Sequence, residues 1–179
     1  MMRLFLLPIV GALLCGCAAK GQSVPEFTFR NLHMFYPKNM EVTEYQEYEE
    51  DSFVSFFLQD KDDPVNRVEF GISEFPADFL QTVPREELLG ELAADADELR
   101  NKYLSIAGNE AVQQSEITIS RDVADAYIMA QVEENGIMAY CLFSSRVVGN
   151  YNICTMSRSR DPETMELFIS IIDNITINQ

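Results

Sequence analysis

The sequence predicts an α+β fold, an α/β/α sandwich in which a central antiparallel β-sheet carries a helix on each face. Segments rich in β-branched and aromatic residues follow one another across turns too short for parallel crossovers, so the sheet is antiparallel. Two stretches switch to an apolar period of three to four residues, the mark of an amphipathic helix. Residues 137–143, IMAYCLF, are apolar at nearly every position rather than at alternate ones, so both faces of that strand must be covered. With two amphipathic helices available, one on each face is the economical packing.

Four strand-like segments come first: FTFRNLHMFYP, MEVTEYQEY, SFVSFFLQ and RVEFGISEF, separated by turn clusters such as residues 60–64. From Pro84 to Ile106 the apolar residues Leu88, Leu92, Ala96, Leu99, Tyr103 and Ile106 form one helical stripe, which Gly108 and Asn109 end. Four more strands are expected in AVQQSEITIS, VADAYIMAQVEE, IMAYCLFSSRVV and YNICTMSRS, with hairpins at Asn135-Gly136 and Gly149-Asn150. Asp161-Pro162-Glu163 opens the last helix with an N-cap, a proline at its first position and an acid near its positive end. Met165, Phe168, Ile169, Ile172 and Ile175 give that helix its buried stripe. No internal repeat or low-complexity segment is present.

The first residues, MMRLFLLPIVGALLC, place Arg3 ahead of an apolar run from Leu4 to Leu14 that is far too short to cross a bilayer core. A secretory leader has this form. Within it, Leu14-Cys15-Gly16-Cys17 resembles the lipobox of bacterial lipoproteins, and by that resemblance Cys17 receives a diacylglyceryl thioether and becomes the first mature residue. Cys15 does not fit, because Leu13 and Leu14 would occupy the positions that must be small. An ordinary leader cut near Ala18-Ala19 and a CxC metal pair are the alternatives. The expected organisation is a signal peptide at 1–16, the lipidated cysteine and a tether at 17–26, and one globular domain at 27–179. About 160 residues remain after Cys17, one domain in size and able to build a core without disulfides.

The chain has 29 acidic and 13 basic residues, for a net charge of −16. Such a surface repels phosphate backbones, and nucleic acid is not an expected partner. His33 is the sole histidine and sits in a strand, which marks it as a structural or surface residue and leaves a triad or a Cys-His site without support. There is no zinc spacing, GxGxxG or P-loop. Asp60, Asp62 and Asp63 fail the EF-hand pattern, since its fifth position is Pro64 and its twelfth Gly71. EYQEYEED, residues 44–51, reads as a solvated strand and turn or a contact surface. Arg146, Arg158 and Arg160 stand out in so acidic a chain, but Arg146 and Arg158 point to opposite faces of their hairpin, so independent pairing is expected rather than one anion site. A two-residue turn at Gly149-Asn150 sets Ser145 opposite Cys154 and Arg158 opposite Cys141. The two thiols then lie on the order of 13 Å apart on one face, too far for a disulfide.

A strand ending in YPKNMEV, further strands, a long helix, a run of hairpins and a last helix leading into IIDNITI resemble the PsbP/DcrB-like family over nearly all of residues 27–177. Pro37 and the closing helix and strand match; Met40 stands nearest the family's tryptophan. The resemblance implies the sandwich fold and supplies no catalytic residue. The expectation is a non-enzymatic lipoprotein without a cofactor, held to the membrane through Cys17 in the cell envelope. In a Gram-negative source it would lie at the outer membrane facing the periplasm. There it would act as a binding or accessory module for a protein complex. The alternatives are a carrier or sensor of a small ligand with a pocket between sheet and helix, and, third, a hydrolase using scattered carboxylates.

Overall fold

The apolar alternation of residues 27–35 changes phase midway, from Phe27 and Phe29 to Leu32 and Met34, all four of them buried. A single strand would send these pairs to opposite faces. In the computed structural model the chain instead turns at Arg30, whose φ is 54°, and the expected first strand is a hairpin of β1 (Glu26–Phe29) and β2 (Leu32–Phe35). The structure describes residues 24–48, 52–76, 78–107, 112–120, 125–134 and 137–178. The leader, Cys17, the tether up to residue 23, and the turns at 108–109 and 135–136 lie outside the described residues.

β3 (Met40–Tyr48), β4 (Phe53–Asp60) and β5 (Arg67–Glu74) form a meander, followed by the short α1 (Phe79–Thr82), which the apolar pattern does not announce, and by α2 (Arg85–Ala107). Then come β6 (Val112–Ser120), β7 (Asp125–Glu134), β8 (Ile137–Val148), β9 (Tyr151–Ser159), α3 (Pro162–Asp173) and β10 (Thr176–Ile177). The fold is mixed α+β with two antiparallel sheets. The larger is seven-stranded in the order β3-β4-β5-β9-β8-β7-β6, and the smaller joins β1, β2 and β10. Gly149 turns β8 into β9 with φ +60°, and a Cβ there would come within 2.7 Å of Ile177 Cδ1, so both backbone and space require glycine.

Two clusters make the core. The first joins Phe27, Phe29, Leu32 and Met34 of the small sheet to Val54, Phe56, Leu58, Val68, Phe70 and Ile72 of the meander, and to Met165, Phe168, Ile171 and Ile172 of α3. Phe56 is sandwiched there, its ring centroid 4.1 Å from Phe27 and 4.9 Å from Phe70. The second joins Leu88, Leu92 and Ala96 of α2 to Cys141 and Phe143. Neighbouring residues of β8 divide between them: Leu142 belongs to the first, Cys141 and Phe143 to the second. Of the continuous apolar run, Ala139 and residues 141–143 are buried and Tyr140 is half-buried, while the side chains at 137–138 lie outside the described residues. On α3 the buried stripe contains Ile171, with Ile169 only partly covered, because the helix packs on β2 as well as on β8 and β9.

Candidate functional site

An apolar groove of about 560 Å³ runs between the small sheet and the end of α3. One wall comes from Val24, Pro25 and the stretch from Phe35 to Lys38; the other comes from Ile171, Asn174 and Thr176. The Tyr36 backbone N–H donates to Pro25 O at 3.1 Å, which holds the first residues of the domain beside the end of β2. Burial pushes the Tyr36 phenol above its ordinary value of 10.0. Val24 is 55% and Phe35 47% exposed, so the lip is apolar and open. Lys38 is the sole charged side chain in the lining, in a chain with 29 carboxylates.

A smaller recess beside α2 is lined by Phe75, Leu88, Leu92, Asp95 and Asn152, and a polar cluster adjoins it. Ser145 Oγ donates to Asp95 Oδ2 at 3.3 Å and approaches Cys154 Sγ at 3.6 Å, and Asn152 Nδ2 donates to Asp95 at 3.2 Å. An acid, a hydroxyl and a thiol thus meet, but the histidine that would activate a nucleophile is elsewhere. Burial, first among several influences, pushes the Cys154 thiol up from its ordinary value of 9.0, which keeps it protonated at neutral pH and a poor nucleophile. The cluster joins helix to sheet.

The residues singled out in the sequence are engaged in the fold. His33 lies in β2 between Glu26, which faces its Nδ1, and Asn178, whose Nδ2 is 2.8 Å from its Nε2, so it ties the three strands of the small sheet together. Asp60 Oδ1 accepts the Asp62 N–H at 2.8 Å and Asp60 Oδ2 the Asn39 amide at 2.9 Å, while Asp63 accepts the Val65 N–H. Those carboxylates shape the β4–β5 turn. Arg146 donates to Asp173 Oδ1 at 2.7 Å and to Ile172 O at the end of α3. Arg158 stands opposite Cys141 and belongs to the alternate set of β9 side chains, so the two arginines form no common site. Tyr45 and Tyr48, of the acidic stretch 44–51, lie exposed on the edge strand β3; residues 49–51 are outside the described residues. The Glu47 carboxylate, accepting the Tyr45 hydroxyl at 2.7 Å, pushes that phenol up to about 12. A bulge at Glu44, whose φ is 51°, interrupts this edge and blunts it against pairing. Cys17 lies outside the described residues.

The β8–β9 register pairs Ser145 with Cys154 and Cys141 with Arg158, the expected alignment, and neither Cys141 nor Cys154 is in a disulfide. The groove is absent from the sequence reading. Its walls come from residues 24–38 and 171–176, which no local pattern connects.

No family model and no curated protein matches the chain. Among solved structures it is similar to cyanobacterial PsbP (CyanoP) from Synechocystis sp. PCC 6803, whose solution structure superposes with a TM-score of 0.55 at 14% identity, over 90% of this chain and 97% of that one. That likeness establishes a PsbP-like fold.

Proposed function

We propose that the chain is a lipoprotein of the cell envelope, anchored through Cys17, whose PsbP-like domain serves as a non-enzymatic binding or accessory module for a membrane protein complex. The domain is read as an α/β/α sandwich with α2 on one face of the large sheet and α3 on the other. The division of neighbouring β8 residues between two core clusters supports this layering. The observation that carries the functional reading is the lipobox-like Leu14-Cys15-Gly16-Cys17 placed ahead of this domain. The engagement of His33, Asp60, Asp95 and Arg146 in bonds to remote segments, and of Asp63 within the β4–β5 turn, supports a role without catalysis.

The test is metabolic labelling with a fatty acid, combined with fractionation. The wild-type chain should carry the label and sediment with membranes, and Cys17→Ser should lose the label and be released or remain an uncleaved precursor. Normal processing and equal membrane retention of Cys17→Ser would refute the anchor. A second reading, a carrier of a small apolar ligand, is favoured by the groove between the small sheet and α3. Native mass spectrometry of the purified protein separates the two: a bound small molecule supports the carrier, stoichiometric co-purification of a membrane assembly the accessory module.

A further inference from the structure

The groove beside Val24 has a composition unlike the rest of this acidic chain. Among the described residues its lining contains no carboxylate and one cation, Lys38, and its lip carries the exposed Val24 and Phe35. Lys61 is brought to the same end, its Nζ donating to the Lys38 carbonyl at 2.6 Å, on a turn that also carries Asp60, Asp62 and Asp63. Val24 is also where the domain hands over to the stretch that leads back to Cys17. Whatever conformation that stretch adopts, Cys17 lies at most about 25 Å from Val24 by chain length alone. An acyl-anchored cysteine sits at the bilayer surface, so the groove end of the domain is held within that distance of lipid.

We infer that the occupant of the groove is the bilayer itself. The lip formed by Val24, Phe35 and Tyr36 seats in the interfacial zone, where apolar and amphipathic side chains are stabilised. This inference rests on the anchor reading and adds an orientation to it. Lipid fixes where the chain is held, and the lip fixes which face of the domain is turned to the membrane.

The chain has no tryptophan, so Phe35→Trp provides a single reporter, and Phe57→Trp, on a half-buried β4 site away from the groove, provides its control. The full-length lipidated variants, each checked for an unchanged melting curve, are reconstituted into phosphatidylethanolamine vesicles with a minor share of phosphatidylglycerol. A nitroxide is carried high on the acyl chain. The expected result is co-flotation of both variants, with the indole of Phe35→Trp quenched by the nitroxide several-fold more strongly than that of Phe57→Trp and shielded from aqueous iodide. Co-flotation with no difference between the two reporters would overturn the orientation and leave the anchor standing. An indole in Phe35→Trp that is already blue-shifted and shielded before vesicles are added, and unmoved by them, would overturn it in favour of a small ligand in the groove. Failure to float would remove the anchor and this inference together.

Discussion

The two long helices of this domain are built on opposite economies. α3 is the shorter, Pro162–Asp173, yet buries Met165, Phe168, Ile171 and Ile172, because it lies against both the large sheet and β2 of the small one. α2 runs from Arg85 to Ala107 and among its described side chains buries only Leu88, Leu92 and Ala96, with Asp95 between them bonded to Ser145 and Asn152. Length and stabilisation are therefore separate. What matters is how many layers a helix touches, since each adds apolar area removed from water. α3 thus bridges two sheets with an apolar stripe, whereas α2 covers one sheet across a seam that includes polar groups.

The largest effect should come from truncating the centre of each cluster. Phe168 and Leu92 are almost equally buried, at 0% and 1% exposure. Phe168→Ala opens a cavity among tightly packed aromatic and aliphatic side chains, at a cost of about 3–5 kcal/mol. Leu92→Ala should cost about 2–3 kcal/mol, toward the lower end for such changes, because the site can relax into the adjoining recess. Urea unfolding of the two variants measures this directly. A Leu92→Ala loss equal to or above that of Phe168→Ala would break the contrast.

Much of this architecture is legible in the sequence, and the exceptions share one cause. The Asp161-Pro162-Glu163 start of α3, the stripe of α2, the Gly149-Asn150 turn and the β8–β9 register all depend on neighbours a few residues apart. The small sheet does not. β2 finds β10 across almost the whole domain, and that remote pairing puts Ile171 inside and creates the groove. The hairpin at Arg30 was present in the pattern as the phase change between Phe29 and Leu32; reading the apolar stretch as continuous hides it.

A smaller effect is expected at the start of α3. Asp161 accepts the Glu163 and Thr164 backbone N–H groups, both at 3.2 Å, and the Thr164 hydroxyl at 2.9 Å. The hydroxyl bond first, then those backbone bonds, hold its carboxyl below the ordinary 3.8. A carboxyl depressed in the folded state contributes stability that is present above its unfolded value and lost as pH falls through its folded one. Asp161→Ala should lower Tm at neutral pH by less than Leu92→Ala does, and the deficit should shrink in acid below pH 3.8. Asp161→Asn, still a competent N-cap, should keep much of the stability without that acid dependence. A deficit for Asp161→Ala that stays constant from neutral pH into strong acid would contradict the capping account.

On α2 the sign reverses. Gly90 is exposed inside the helix, and a Cβ there meets nothing within 4 Å. Gly90→Ala should therefore stabilise by about 0.5–1 kcal/mol, through the lost freedom of the unfolded chain. Chemical denaturation that shows no gain would mean α2 contributes still less to the cooperative unit than its sparse burial implies.

The smallest expected effect is none at all, and it tests the strand register beneath the α2 seam. Cys141 and Cys154 project on the same face of β8 and β9, but Cys154 is paired with Ser145 and Cys141 with Arg158. That offset separates the thiols by about 13 Å along the strands, whereas a disulfide tolerates about 7 Å between Cα atoms. Sliding β9 along β8 to join them would take Cys154 away from Ser145 and pull Gly149 out of its turn. Dithiothreitol should accordingly leave the melting temperature of the oxidised-purified protein unchanged. Alkylation in denaturant without reductant should label both thiols. In the folded protein Cys154 should react slowly at neutral pH, because burial holds its thiol protonated. A reductant-sensitive Tm together with a linked Cys141/Cys154 peptide would place β9 in another register. The polar seam, which depends on Ser145 and Asn152 reaching Asp95 from adjacent strands, would then have to be redrawn with it.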